Sequence, residues 1–346
     1  MGAIVARNTL ALLRALLPGI LLSMISTAVA WAEMRDNPFP GPAFSDPAVL
    51  TDMPADWQQR PLERAPAGVD VAIVLDQQIY PALLPFIEEY ARREKLKIAV
   101  QNGTCGTALG GLSRKELDIG GYCCPPERAD RLPGIKFHTI GVTGIALIVH
   151  PGNPVETLSR DEAQKIFSGQ IRHWQQLDKA RERKLPDQSV FVATRLHCKT
   201  RPGHWRLLLD NQERFSRDAQ DVGSIPDMIR TVSLNRDSIG YETNWHVTRH
   251  AATTPVRTIK IDGESSLDSE AIATLRYPLY EVMNLTTWEG PAANPEADRL
   301  VAYLLSKAGA VGEVYGLVPV EKLRVAGWKF KGNELIGEPD RLPSSK

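Results

Sequence analysis

The sequence has no excess of charge of either sign. Its 346 residues include 41 basic and 41 acidic side chains, so it lacks the electropositive surface that nucleic acid or an anionic membrane surface requires. Any charged ligand must therefore be held by local groups. Beyond residue 32 no apolar run approaches the length of a membrane-spanning helix, and the sequence contains no internal repeat and no low-complexity tract. These absences exclude a nucleic-acid-binding protein and a protein with several membrane spans.

The N-terminal segment is typical of an export signal. Arg7 and Arg14 precede an apolar run, 15–32, that ends in a small-x-small cleavage site. We therefore predict a cleaved signal peptide over residues 1–32 and a periplasmic location, with an uncleaved membrane anchor as the alternative. Residues 33–68 are rich in proline and predict an extended linker.

From Val69 onward the pattern alternates between strands and helices. Residues 71–75 form a continuous apolar run, as in strands that are buried on both faces, and Pro81 opens an amphipathic helix that extends to Lys95. Further elements are predicted as strands at 97–101, 118–122, 143–149, 189–194 and 238–241, and as helices at 107–116, 161–167, 202–210, 227–235 and 296–309. The order predicts an α/β fold with a parallel, doubly wound sheet, in which ligands bind beyond the carboxyl ends of the strands.

Several short motifs between Val69 and Pro319 carry a resemblance to a known family. They are Tyr80-Pro81-Ala82-Leu83, Gly103-Thr104-Cys105-Gly106-Thr107, Asp118-Ile119-Gly120-Gly121-Tyr122, His150-Pro151-Gly152-Asn153-Pro154-Val155, Ile166-Phe167-Ser168-Gly169-Gln170-Ile171 with Trp174, Ser238-Ile239-Gly240-Tyr241 and Tyr277-Pro278-Leu279-Tyr280. In this order they resemble the substrate-binding proteins of phosphate ABC transporters, which are two-lobed periplasmic binding proteins.

The resemblance implies a type II two-lobed fold, in which each lobe has a mostly parallel, doubly wound sheet. Two crossing strands would form a hinge near residues 146 and 255. The first lobe would comprise residues 69–145 and 256–330, the second lobe residues 146–255, and residues 331–346 would be a tail. The resemblance also implies a monomer without enzymatic activity, which captures a small ligand in the cleft between the lobes and presents it to an ABC permease or a sensor kinase.

Ligand residues are implied by the same resemblance. The family binds phosphate with hydroxyls, helix-start N–H groups, one arginine and one carboxylate that accepts the phosphate proton. In this sequence Ile79 stands where a hydroxyl is expected, and Cys123 stands at the position of the carboxylate. The residues expected to bind the ligand are Tyr80, Thr104, Cys105, Gly106, Thr107, Cys123, Arg195, Cys198, Thr200 and Arg201. Because a hydroxyl and the carboxylate are replaced, the fold transfers better than the specificity for phosphate.

The four cysteines fall in loops that the resemblance brings to one cleft. Cys105 and Cys198 each precede a predicted helix, where the helix dipole favours thiolate. Together with Cys123 and Cys124 they predict a site for a soft metal ion, such as copper or zinc, or for a metalloid; the fold itself requires no cofactor. His197 and His204 would be additional ligands.

Alternatives to the soft-metal hypothesis stay open at this point. An oxyanion held by the threonines and arginines is one. An exported protein also favours structural disulfides, for instance between Cys105 and Cys123 or Cys124. A thiol redox protein with Cys198 as nucleophile is a third alternative, although the sequence has no Cys-x-x-Cys pair.

Overall fold

A computed structural model describes residues 43–178, 180, 182, 184–196, 208–209 and 212–340 of the chain. The predicted signal peptide lies outside the described residues, as do Cys198, Thr200, Arg201 and most of the helix expected at 202–210. Among the residues described, no helix combines the length and the apolar composition that crossing a bilayer requires.

The strands, in chain order, are β1 Val71–Asp76, β2 Ile98–Gly103, β3 Ile119–Tyr122, β4 Ile135–Val149, β5 Thr157–Leu158, β6 Phe191–Thr194, β7 Gln220–Asp221, β8 Ser238–Thr243, β9 Arg257–Ile261, β10 Tyr280–Trp288, β11 Leu317–Pro319, β12 Lys329–Lys331 and β13 Glu334–Gly337. The α-helices are α1 Ala55–Gln59, α2 Tyr80–Glu94, α3 Cys105–Ser113, α4 Arg160–Phe167, α5 Ile225–Leu234, α6 Asn244–His250, α7 Ser269–Ala273, α8 Pro295–Ser306, α9 Ala308–Tyr315 and α10 Val320–Val325. The predicted α/β fold class is confirmed.

Eleven strands of the described chain form one sheet with the central order β2-β1-β3-β10-β4-β8-β6-β7. The outer groups are parallel, since β1 pairs with β2 and β3 in parallel and β6 does so with β7 and β8. The middle is antiparallel, because β10 runs against both β3 and β4, and β4 runs against β8. The prediction of a mostly parallel sheet therefore holds only for the outer groups.

Strand β1 shows why the sheet is covered on both sides. Val71, Ile73 and Leu75 belong to one hydrophobic core together with α2 and α8, whereas Ala72 and Val74 belong to another core that includes residues of α3. Successive side chains of a strand point to opposite faces, so a strand between two layers of helices is apolar at every position. The continuous apolar run was thus interpreted correctly.

Strand β4 is the longest strand described and belongs to both ends of the sheet. Its residues 135–144 pair with β10, residues 141–143 also pair with β11, and residues 145–149 pair with β8. Residues 147–149 pair with strand β9 as well. Strand β9 begins just after the second crossing, which is expected at residue 255, so strand pairing joins residues on both sides of that crossing. The lobe boundaries stay a prediction.

The proline-rich segment is packed against the domain over its described part, residues 43–68. Trp57 is buried, and its Nε1 donates to the carbonyl of Ser113 at 2.6 Å. Arg64 forms a two-bond ion pair with the buried carboxylate of Asp118, at 2.8 and 2.9 Å. The described part of the predicted extended linker is therefore docked on the domain, and it includes the short helix α1.

Candidate functional site

The candidate site lies where the carboxyl ends of two parallel strand groups meet. Gln78, just after β1, donates from Nε2 to the Glu242 carboxylate at the end of β8, at 3.0 Å. Thr243 donates its hydroxyl back to Oε1 of Gln78, also at 3.0 Å. We call the polar groups around this contact, all of them buried except Cys123, the junction site; they are Asp76, Gln78, Cys105, Cys123, Cys124, Arg195, Glu242 and Glu281.

Asp76 joins β1 to the start of α3. Its Oδ2 accepts the backbone N–H of Cys105 at 3.0 Å and the Cys105 thiol at 3.4 Å, while Oδ1 accepts the N–H of Gln78. Burial raises the pKa of the Asp76 carboxyl well above its usual range, and neighbouring Cys105 raises it further. The carboxyl thus occupies a helix N-terminus, which is a position that suits a bound anion.

Three cysteines come together beside Asp76. We call Cys105, Cys123 and Cys124 the thiol trio; their sulfur atoms all lie within 4.8 Å of one another, and the Sγ atoms of Cys105 and Cys123 are 3.5 Å apart. No disulfide joins any two of these three cysteines in the structure described. Hydrogen bonds with Cys105 and Cys124, together with burial, raise the pKa of the Cys123 thiol well above its usual range. The arrangement therefore holds the Cys123 sulfur in its protonated form.

The fourth cysteine, Cys198, lies outside the described residues. The structure thus brings together the three cysteines expected from the first lobe, and their role as ligands stays a prediction, as does the alternative of a disulfide with Cys105.

Arg195 follows β6 and is 6% exposed. Its Nη2 donates to Glu242 at 3.2 Å, and its backbone N–H donates to the hydroxyl of Tyr241 at 3.0 Å. Among the described residues, the Nε–H of Arg195 has no hydrogen-bond partner. Buried donors are almost always paired, so an unpaired guanidinium N–H requires an explanation.

The other expected ligand residues are placed differently. Thr104 and Thr107 are exposed, and their hydroxyls cap α3: Thr107 N donates to Thr104 Oγ1 at 3.2 Å, and Thr104 N donates to Thr107 Oγ1 at 2.6 Å. Gly106 is exposed beside them, and Tyr80, the first residue of α2, is partly buried against apolar side chains. A ligand role for these four residues stays a prediction.

The acidic side of the junction site is not among the residues predicted from the sequence. Asp76 terminates an otherwise apolar strand, which is a signal that the sequence offers. Glu242 and Glu281 give no such signal, because each stands within a strand and both are fully buried at 0% exposure. The site therefore contains three buried carboxyl groups against one buried arginine.

The converging strand ends, the helix N-terminus and the buried charges define a two-part α/β binding protein. A sequence profile described as the PBP superfamily domain matches residues 62–308, which is most of the chain. The chain belongs to the PBP superfamily. The expected family resemblance is thereby confirmed, and so is the expectation of a binding protein rather than an enzyme.

Individual relatives agree with this assignment. The phosphate-binding protein PstS of Bacillus subtilis is 26% identical over 233 residues, which are 66% of this chain and 73% of the relative. A phosphate ABC transporter substrate-binding protein from Clostridium perfringens, solved with bound phosphate, has a TM-score of 0.61 at 19% identity, over 72% of this chain and 99% of its own. An ABC-type phosphate transport receptor from Vibrio cholerae gives 0.56 at 19% identity, with the same coverage of both chains. At these identities the solved structures support the fold alone.

Proposed function

We propose that this protein is an exported solute-binding receptor that captures a small inorganic oxyacid, or its anion, at the junction site. A membrane permease or a sensor kinase would receive the bound ligand, and the protein would act in the periplasm as a monomer. The names of the relatives support an oxyanion of the phosphate type as the reference ligand. The superfamily assignment supports capture without chemical conversion.

The unpaired Nε–H of Arg195 carries this proposal. The guanidinium is almost fully buried, and one of its donors has no acceptor among the described residues. A ligand oxygen within the junction site would satisfy that donor by a charge-assisted hydrogen bond, which is the contact that arginine forms best with oxyanions. Glu242 already fixes the orientation of the guanidinium through Nη2.

The carboxyl groups restrict which oxyacid fits. Asp76 already accepts the Cys105 N–H at the start of α3, and Ile79 offers no hydroxyl. Burial already raises the pKa of the Asp76 and Glu281 carboxyls, so the site disfavours negative charge, and a multiply charged anion would be disfavoured for the same reason. The geometry therefore favours an oxyacid that carries little negative charge when it is bound.

Substitution of Arg195 by lysine tests the proposal. Arg195→Lys keeps the charge but removes Nε–H, so binding should weaken by about tenfold or more, as expected for a lost hydrogen bond to a charged group worth about 1.5–3 kcal/mol. Calorimetric titration with phosphate, sulfate, arsenate and arsenite gives the affinities.

Arg160→Lys, at an exposed ion pair with Asp262, is the matched control and should bind as the unmodified protein does. If none of the four oxyacids binds the unmodified protein, the proposal is wrong. If Arg195→Lys binds them equally well, Arg195 is not a ligand residue.

A further inference from the structure

The thiol trio is not used by the proposed contact with Arg195. Its cysteines come from two places in the chain, since Cys105 opens α3 while Cys123 and Cys124 follow β3. Their burial is unequal: Cys105 and Cys124 are buried, and Cys123 is partly exposed. Three sulfur atoms thus converge at one point from separate elements, with Cys123 giving access from outside.

The backbone around the trio is held by specific contacts. The N–H of Cys105 donates to Asp76, and the carbonyl of Cys124 accepts from Nδ2 of Asn284 at 2.9 Å. Asn284 is held in turn by the hydroxyl of Thr139, at 2.7 Å. These contacts fix the residues before any ligand arrives, and such preorganisation lowers the entropic cost of binding.

The chemistry of the site selects a thiophilic ligand. Thiolate sulfur binds soft electron-pair acceptors best. Oxyanions are instead bound by hydrogen-bond donors such as hydroxyls and N–H groups. Burial disfavours ionisation of the nearby Asp76 and Glu281 carboxyls, and it disfavours an added anion for the same reason. A divalent cation on three thiolates would leave a net negative charge in this buried surrounding. A trivalent metalloid hydroxide avoids both costs, because it is neutral before and after it exchanges its hydroxides for three sulfurs.

We propose that the thiol trio binds a trivalent metalloid oxyacid, with arsenite as the representative, as a three-sulfur adduct. Three arsenic–oxygen bonds break and three arsenic–sulfur bonds form. The three thiol protons leave with the three hydroxides as water, and arsenic stays trivalent, so no oxidant is needed. This assignment rests on the proposed receptor function and names the oxyacid that its junction site takes. The adduct keeps no oxygen, so Arg195 meets the oxyacid as it arrives and the thiol trio alone holds the product.

Thiol counting on the full chain tests the assignment. The protein is reduced, freed of reductant and titrated with sodium arsenite. One equivalent should protect three of the four thiols from a thiol reagent, and native mass spectrometry should show one arsenic bound with the loss of three hydrogens. Protection of fewer than three thiols, or binding of zinc or copper(I) in place of arsenite, would overturn the assignment.

Two cysteine variants complete the design. Cys123→Ser should weaken arsenite binding by at least about 100-fold, since even partners outside the direct ligand set change affinity by 10–100-fold. Cys198→Ser distinguishes a site made by the trio from one that includes the fourth cysteine expected from the sequence: with the trio alone, the variant has three thiols and binds arsenite with all three. Loss of arsenite binding in Cys198→Ser would contradict a site made by the trio alone.

The outcomes separate this assignment from the proposed function. Binding of phosphate or sulfate without arsenite would refute the thiol-trio assignment and leave the receptor for oxyacids in place. If no oxyacid binds, both are refuted. Circular dichroism of Cys123→Ser shows whether a lost affinity reflects unfolding, and the thiol count on the unmodified protein decides the matter independently of any variant.

Discussion

Glu281 is the second residue of β10 and is fully buried. Burial raises the pKa of its carboxyl well above the usual range, and the nearby Glu242 and Asp76 raise it further. The folded protein therefore holds this proton more tightly than the unfolded chain does. The resulting stabilisation is fully present below the unfolded pKa, near 4.3, and is lost as the pH rises through the folded pKa.

Glu281→Gln should remove this loss. The amide resembles the protonated carboxyl in shape and cannot ionise, so the free energy of unfolding at pH 8 should increase by at least about 1.4 kcal/mol, which corresponds to one pKa unit. The increase at pH 5 should be smaller. Urea denaturation at the two pH values measures the difference, and the exposed Glu88→Gln serves as control. An equal effect of Glu281→Gln at both pH values would contradict the assignment of a raised pKa.

At the residue scale, the sequence predicts the thiols of the junction site better than its carboxyls. Cysteines are few and chemically distinctive, so the family resemblance brought Cys105, Cys123 and Cys124 together correctly. Glutamates are common on surfaces, and only the long-range packing of β8 and β10 buries Glu242 and Glu281. No local pattern distinguishes a buried glutamate in a strand from an exposed one.

At the element scale, the proline-rich segment 43–68, which includes α1, packs against the domain, although its composition predicts an extended linker. The ring of Trp57 contacts that of Trp288, with a centroid separation of 6.1 Å, and the ammonium of Lys115 lies 4.6 Å from the centre of the Trp57 ring. Segment 43–68 thus covers the end of β10 and the turn after α3.

Trp57→Ala should therefore destabilise the whole domain. Truncation of a buried tryptophan to alanine costs about 3–5 kcal/mol. Leu50→Ala, at a position that is 44% exposed in the same segment, should change stability by less than about 0.5 kcal/mol. Chemical denaturation of both variants gives the comparison. A small effect of Trp57→Ala would show that the segment acts as a detachable linker after all.

Some elements were predictable and others were not. β1 and α2 follow from an apolar run and an N-terminal proline, which are local signals. β10 was missed because polar side chains interrupt its pattern: Asn284 donates to the carbonyl of Cys124, and the hydroxyl of Thr286 accepts from the N–H of Gly120. These polar groups are satisfied by partners more than 150 positions away, which the local sequence does not reveal.

At the scale of the whole molecule, the Gln78 side chain links the two strand groups. It donates to Glu242 and accepts from Thr243, and all three side chains are buried. This pair of hydrogen bonds holds the ends of β1 and β8 together in the structure described.

Gln78→Ala should loosen this connection. The ligand-free variant should show a larger radius of gyration by small-angle scattering than the unmodified protein. The reason is that Oε1 of Glu242 loses the Gln78 donor and is hydrated by water that enters between the two strand ends. Gln101→Ala, at an exposed position of β2, should leave the scattering curve unchanged. An unchanged radius for Gln78→Ala would mean that other contacts keep the two strand groups together.

The continuity of β4 has a mechanical consequence. Strand β10 pairs with its residues 135–144, and strand β8 pairs with its last five residues, with no break in the strand between them. A flexible pivot between residues 144 and 145 would break strand-pairing hydrogen bonds, either those with β10 or those with β8. Movement of one end of the sheet relative to the other must therefore be distributed as torsion along many residues of one strand, each turning by a small angle, so the protein is expected to twist here rather than to swing.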